Sequence, residues 1–277
     1  MAQTSLLKYK IAGKRFFNAL KDFFKEIRGV YPYHGNKYHC PVCDTNLKHF
    51  NSINFKYLRP LEDNAFVFPV FLLETSNLSD YSCPCCLATD RDRLYALYFK
   101  KRIGQGVIPC KLNIIDFAPQ HGLSKFLINS PYTNYRSADL FMEGVDDKVD
   151  ITDLTIYKDN SIDIFICSHV LEHVKQDIKA MNELHRILKP GGWGIVMVPI
   201  MLGIEETFEK DTIVSEADRC KYYMQKDHVR LYSKKGFTDK LKETGFKVYE
   251  FNAGYFGVEN FKKHGIQERS VLYVVEK

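Results

Sequence analysis

The sequence has no apolar run approaching the roughly 18 residues of a membrane-spanning helix, which excludes a helical integral membrane protein. It also lacks the apolar core of a signal peptide, because Lys8, Lys10, Lys14 and Arg15 interrupt the residues that follow Met1-Ala2-Gln3-Thr4-Ser5. Without an export signal the expected location is the cytoplasm, where eight cysteines bind metal in preference to forming disulfides. Internal repeats and low-complexity segments are missing, so solenoid and disordered classes drop out. No charge sign dominates: the net charge of +5 is spread along the chain without a concentrated basic stripe, which makes nucleic acid an unexpected partner. No G-x-G-x-x-G occurs, which counts against a nicotinamide-dependent oxidoreductase. Tryptophan appears once in 277 residues, yet 20 Phe and 17 Tyr supply ample aromatic material for a core.

The chain changes character twice. In residues 14–28, Phe16, Phe17, Leu20, Phe23, Phe24 and Ile27 recur at helical spacing with lysines between them. This predicts a basic amphipathic helix that packs on the remainder of the protein, peripheral membrane contact being the alternative. Residues 31–89 are rich in Pro, Asn, Tyr and Cys and carry short strand-like runs such as Phe66-Val67-Phe68. They read as a small module held by something other than a core. From residue 90 a helix runs to Gly104-Gln105-Gly106, and strands then alternate with helices to residue 277. Strands are expected at 111–117, 132–138, 149–151, 162–167, 193–198, 246–251 and 270–275. Helices are expected near 123–128, 172–188 and 234–244. Strands separated by helical crossovers predict a doubly wound, mostly parallel α/β sheet, with an antiparallel edge formed by the last two strands.

Cys40-Pro41-Val42-Cys43 and Cys83-Pro84-Cys85-Cys86 form two C-x-x-C knuckles. Two such turns complete a closed tetrahedral zinc site on Cys40, Cys43, Cys83 and Cys86, structural because it keeps no open position. The long gap between the knuckles predicts a small sheet to fill it. Cys85 reads as a bystander, and His34, His39 and His49 are the alternative ligands.

In an open parallel sheet a ligand sits beyond the carboxyl ends of the strands at the switch point. The first such turn is Asp116-Phe117-Ala118-Pro119-Gln120-His121-Gly122, followed by a helix whose amides receive an anion. Asp139 ends the second strand, at the spacing from Asp116 that suits a ribose diol. These features fit an adenosine ligand without choosing which one.

The run Ser161-Ile162-Asp163-Ile164-Phe165-Ile166-Cys167-Ser168-His169-Val170-Leu171-Glu172-His173, with Leu188-Lys189-Pro190-Gly191-Gly192 after it, resembles the class I S-adenosylmethionine-dependent methyltransferases. With its knuckles and its Ala118-Pro119-Gln120 turn in place of a glycine-rich one, the chain looks like a zinc-containing subgroup of the type 11 methyltransferases. The resemblance implies a seven-stranded sheet and S-adenosylmethionine as cofactor. It puts the methionine part of the cofactor on Phe117, Ala118, Pro119 and Gly122, with Asp116 in the same frame. It puts the ribose on Asp139, the adenine on Asp150 and Ile151, and the sulfonium side on Ser168 and His169. The same likeness suggests a small-molecule or sugar acceptor, methylated on oxygen or nitrogen. A zinc-containing RNA methyltransferase and a non-catalytic scaffold are the competing readings.

Methyl transfer to a protonated acceptor needs an aligned nucleophile and often a base. The insertion around Thr207-Phe208-Glu209-Lys210-Asp211 leads into Asp227-His228-Val229-Arg230, where the subgroup builds its acceptor pocket. His228 is expected as the base and Arg230 as the acceptor anchor, a solvated charged loop being the alternative. His173 and His169 are the next candidates.

Overall fold

The computed structural model describes residues 31–103 and 111–277. The amphipathic helix expected at 14–28 lies outside the described residues. A two-stranded antiparallel hairpin, β1 (His34–Cys40) and β2 (Thr45–Leu47), carries the first knuckle between its strands. The main sheet contains β3 (Leu112–Phe117), β4 (Thr133–Asp139), β5 (Asp147–Lys148), β6 (Ile162–Ser168), β7 (Leu188–Met197), β8 (Lys247–Phe251) and β9 (Leu272–Glu276). Its order is β5-β4-β3-β6-β7-β9-β8. Every pair is parallel except the two made by β9, which runs antiparallel to both neighbours. The doubly wound, mostly parallel seven-stranded sheet expected from the sequence is therefore the fold. The order reverses between β3 and β6, which sets the switch point there.

The central strands are apolar because both faces are covered. Ile114, Ile115, Ile164, Phe165, Ile166, Ile195, Val196 and the β9 run from Leu272 to Val275 are all buried. Helices α1 (Asp90–Ile103), α2 (His121–Ile128), α3 (Asp177–Ile187), α4 (Glu216–Tyr223) and α5 (Lys234–Glu243) complete the frame, with short helices at Ala253–Phe256 and Val258–Lys263. The single Trp193 packs edge-on to Tyr98, with ring centroids 5.1 Å apart, and against Phe99 at 5.0 Å.

The last two strands form the expected antiparallel edge, with β9 beside β7 and β8 outermost. Several boundaries are corrected. Helix α3 starts at Asp177, leaving Glu172 and His173 in the preceding turns. β7 starts at Leu188, so Lys189-Pro190-Gly191-Gly192 belongs to the strand and its bulge. β5 is confined to Asp147–Lys148, and Phe66-Val67-Phe68 is not a strand.

The gap between the knuckles is not filled by a sheet either. It holds short helical turns whose apolar side chains leave the knuckles altogether. Leu73, with Phe66, Phe68, Val70 and Leu72, packs on Met201, Tyr223 and Leu231. Only a small cluster of Cys40, Val42, Leu47, Phe50, Cys83 and Ala88 surrounds the knuckles, and α1 contributes Ala96 to it. Packing thus crosses the boundary expected at residue 90.

Helix α1 is buried on most of its circumference and joins these parts. Thr89 and Asp92 cap it reciprocally: Asp92 Oδ2 accepts from the Thr89 amide at 2.8 Å, and Thr89 Oγ1 accepts from the Asp92 amide at 3.4 Å. Arg93, fully buried, donates to five backbone carbonyls: His264 at 2.7 Å, Gly265 at 2.9 Å, Ala88 at 3.1 Å, Tyr81 at 3.4 Å, and Asp80. Its guanidinium lies 3.8 Å from the Phe50 ring centroid. Arg93→Met removes a charged donor set and strands buried carbonyls. Urea unfolding is expected to show a loss of about 3–5 kcal/mol; a loss below about 1 kcal/mol contradicts the clamp.

Candidate functional site

The turn after β3 achieves without glycine what a glycine-rich turn does elsewhere. Ala118 takes a left-handed φ of 54°, and its amide donates to the Ala138 carbonyl at 3.0 Å, tying the turn to the end of β4. Phe117 is buried in the core below. Pro119 and Gln120 follow, and α2 begins at His121 with no side chain capping it. Its first-turn amides are therefore available for a carboxylate. Gly122 has a second partner: a Cβ there would sit 2.9 Å from the Cys86 carbonyl and 3.1 Å from Ala88 Cβ. Glycine is needed at that point because the second knuckle presses on the helix.

Asp116 lies beneath this turn and is 2% exposed, so it supports the turn from below instead of lining its surface. The Tyr135 hydroxyl is 3.0 Å from Asp116 Oδ2 and 2.9 Å from Ser124 Oγ. Burial pushes the Asp116 carboxyl up to about 7 against the opposing hydrogen bond from Tyr135.

Asp139 stands half-buried at the end of β4, where Oδ1 accepts from the amides of Phe141 and Met142, both at 2.6 Å. Both of these hydrogen bonds use Oδ1, and Oδ2 takes no part in the turn. Asp150 makes a similar turn, accepting from the Thr152 amide at 2.8 Å, and Ile151 beside it is buried. The Val149 amide donates to the Asp139 carbonyl at 3.2 Å, so the two acidic turns are adjacent.

At the end of β6, Ser168 Oγ lies 2.8 Å from the Tyr95 hydroxyl of α1. His169 then adopts a left-handed φ of 58°, its amide held by the Met197 carbonyl at 2.8 Å. The conformation turns the chain sharply away from the sheet, and the imidazole, with about a quarter of its surface exposed, faces a cavity. Its Nδ1 is 3.1 Å from Glu172 Oε1, off the angle of a hydrogen bond. Burial pushes the His169 imidazole down to about 4, with the nearby Arg91 charge acting in the same direction, so the ring is neutral at physiological pH.

The cavity measures about 470 Å³. Tyr57, Leu61, Leu73 and Tyr81 wall it from the segment between the knuckles, Pro199 and Ile200 from the end of β7, and Met224 and Asp227 from the insertion. Arg91 and His169 lie on its polar side together with Lys56, Asp90, Gln225 and Lys226. A larger cavity of about 1030 Å³ lies between the knuckles and α2, where His121 and Gly122 of the turn after β3 line it beside Cys43 and Cys86.

Two expected residues are not where the sequence suggested. His228 is 1% exposed and outside the cavity wall, because its Nδ1 lies 2.7 Å from the Tyr223 carbonyl and its ring sits edge-on to His173, with centroids 4.6 Å apart. Arg230 is equally buried, and its donors are all taken: by Glu209 at 2.9 and 2.7 Å, and by the carbonyls of Leu171, Val174 and Lys175. No donor remains for an acceptor, so Arg230 is a clamp that fixes the insertion onto the turns after β6. His173, a third exposed, lies with Nδ1 3.2 Å from Asp227 Oδ2. Sequence reasoning passed over Tyr57, Tyr81 and Arg91. The charge run from Asp90 to Arg93 marked a helix start but not which of its members faces a cavity.

The four knuckle sulfurs converge. Cys40 and Cys86 Sγ are 3.7 Å apart, Cys43 and Cys83 Sγ 3.8 Å, and all four lie within 4.8 Å of one another. A tetrahedron of thiolates at the usual zinc–sulfur distance has edges of about 3.8 Å. The Cys85 amide points at Cys83 Sγ from 3.4 Å, while the Cys85 thiol stays outside the group. The expected ligand set fits the ion.

Residues 136–196 match the family model described as a methyltransferase domain. The ubiquinone/menaquinone biosynthesis C-methyltransferase of Bdellovibrio bacteriovorus is 28% identical over 163 residues, covering 54% of this chain and 63% of the relative. An uncharacterized protein of Methanocaldococcus jannaschii is 32% identical over 106 residues, covering 38% of this chain and 40% of the relative. The chain thus spans less than two thirds of the length of either relative. Among solved structures, an S-adenosylmethionine-dependent methyltransferase from Archaeoglobus fulgidus is similar at 14% identity, covering 66% of this chain and 94% of that one, with a TM-score of 0.42.

The buried Asp116 generates a pH-dependent prediction. Its carboxyl is raised to about 7 in the folded chain from an ordinary 3.8, so the folded state keeps a proton that the unfolded chain has lost. Stability therefore falls as pH rises through that window, by on the order of 4 kcal/mol in all. Asp116→Asn is expected to be more stable than the parent at about pH 8 and equal to it near pH 4. Denaturation curves with the same pH dependence in both proteins contradict the assignment.

Proposed function

We propose that the protein is an S-adenosylmethionine-dependent methyltransferase acting on a small, largely apolar molecule that carries a hydroxyl or other acidic group. The observation that carries this reading is the junction at the switch point. The uncapped α2, Asp139 and Asp150 line the carboxyl ends of β3 to β5, and His169 opens from β6 into a half-open cavity whose wall is mostly apolar. In this reading Ala118, Pro119 and the Gly122 amide receive the methionine part, Asp139 binds the ribose, Asp150 and Ile151 border the adenine, and Ser168 and His169 lie on the sulfonium side. The family match over residues 136–196, which spans β4 to β7, supports it.

S-adenosylmethionine supplies an electrophilic methyl group. The chain's own task is to align an acceptor, exclude water and move a proton. The neutral His169 imidazole accepts the acceptor's proton, and Arg91 stabilises the negative charge that appears on it. With the acceptor so aligned, S-adenosylmethionine would supply the methyl group as its carbon–sulfur bond breaks, leaving S-adenosylhomocysteine. The tyrosine-rich, aliphatic wall favours a hydrophobic small molecule over a sugar. The C-methyltransferase name of one relative brings carbon into the range of methylated atoms beside oxygen and nitrogen. Cys40, Cys43, Cys83 and Cys86 hold a structural zinc in this account, which replaces the core that their surroundings lack.

Titration calorimetry is expected to show binding of S-adenosylhomocysteine and none of NAD. Asp139→Ala is expected to weaken that binding by about 1–3 kcal/mol, the loss of a charged hydrogen-bond partner. NAD binding without response to S-adenosylhomocysteine contradicts the reading.

A further inference from the structure

Glu172, His173 and His228 form a second group, outside the knuckles and the cofactor-facing strand ends. One ligand-type atom from each lies within 4.8 Å of the others. Two chain segments meet here, stitched by the Val229 amide donating to the Glu172 carbonyl at 2.8 Å. A carbonyl only accepts, so the Tyr223 oxygen at 2.7 Å fixes the proton of His228 on Nδ1. That leaves Nε2 with a lone pair, buried and without a partner. The Asp227 carboxylate lies 3.2 Å from His173 Nδ1, on the side of the ring away from Nε2. Both oxygens of Glu172, a residue 1% exposed, are buried and accept no hydrogen bond among the described residues.

The nearest donor to Glu172 is His169 Nδ1, 3.1 Å from Oε1 and off the angle of a hydrogen bond, so the buried carboxylate and the buried His228 lone pair are two acceptors poorly served by their surroundings. Such an arrangement is costly unless something positive lies between them. The outer partners are those of metal-binding histidines, which characteristically donate their second nitrogen to a backbone carbonyl or a carboxylate. Two imidazole nitrogens and one carboxylate oxygen suit zinc, iron(II) or cobalt(II), and suit magnesium or calcium poorly.

We propose that Glu172, His173 and His228 bind one divalent transition-metal ion at the margin of the acceptor cavity. His173 keeps one side of the site open, and Asp227 belongs both to its outer partners and to the cavity wall. Three protein ligands leave a coordination position for an oxygen of the acceptor or for water. The site goes beyond the methyltransferase reading, and its test needs no methyl transfer.

The probe is cobalt(II) added to the full chain after zinc has been loaded and the weaker ions removed with a mild chelator. The expected result is one cobalt per chain, with visible d–d absorption and no thiolate-to-cobalt charge-transfer band. Glu172→Gln and His228→Asn are expected to weaken uptake about 100-fold or more. Because those positions are buried, His173→Ala, on the exposed side, is the control for misfolding and is expected to weaken uptake similarly with unfolding temperature unchanged. Asp227→Asn is expected to cost about 10–100-fold. Cobalt uptake only with the thiolate band, no uptake at all, or unchanged affinity in a folded His173→Ala protein overturns the proposal. S-adenosylhomocysteine affinity, measured on the same samples, separates the two readings: its loss with cobalt binding intact counts against the methyltransferase assignment alone.

Discussion

The buried guanidinium of Arg93 is the constraint on which the rest of the molecule depends. Its donors reach the segment before α1, through Asp80, Tyr81 and Ala88, and the turn before β9, through His264 and Gly265. The knuckle region has too small an apolar cluster to stand by itself, so its attachment is polar and directional. Nearby ties repeat the connection: Tyr273 donates to the buried Glu74 at 2.7 Å, Thr75 donates to the Val271 carbonyl at 3.1 Å, and His264 Nδ1 lies 2.7 Å from the His39 carbonyl. A charge that is buried among carbonyls is a costly choice compared with an apolar contact. What it provides here is one position for the N-terminal segment relative to the sheet.

That position matters because the segment between the knuckles is the wall of the cavity. Tyr57, Leu61, Leu73 and Tyr81 reach the strand ends only while the segment is held there. The opposite wall, the insertion after β7, is anchored by a second buried arginine, Arg230, which spans Glu209 and the carbonyls of the turns after β6. Two arginines thus bring two inserted segments over one end of a parallel sheet. Left-handed residues at Ala118 and His169 turn the backbone out of the sheet at the two strand ends that flank the switch point. Both strained turns occur where a ligand is expected, in keeping with the placement of strain at functional sites.

The fold was legible because its signals are local. Apolar runs such as Ile162 to Cys167 announce buried parallel strands, whereas Pro190-Gly191-Gly192 reads as a break and is the irregular start of β7. The insertion of β9 inside the sheet was not legible, since strand order is decided by long-range pairing that leaves no local trace. The convergence of the four knuckle sulfurs was legible because C-x-x-C spacing is a sequence property, and the place of Asp139 because a strand end was visible. The roles of His228 and Arg230 were misread for a physical reason. A charged loop sequence looks the same whether its side chains face solvent or turn inward, and burial is decided by Glu209, Tyr223 and the carbonyls of a segment some distance away. Arg91 was missed because it sits between Asp90 and Asp92, in a run whose evident meaning was a helix N-terminus.

The central claim is that the cavity at His169 receives an apolar small molecule while the adjoining strand ends hold S-adenosylmethionine. The most direct measurement incubates the protein with methyl-labelled S-adenosylmethionine and separate pools of apolar metabolites, sugars and RNA. The account predicts label in the apolar fraction, released with stoichiometric S-adenosylhomocysteine and reduced when Tyr81→Trp fills the cavity. Label confined to RNA or to sugars, or transfer to apolar molecules that Tyr81→Trp leaves unchanged, would contradict it.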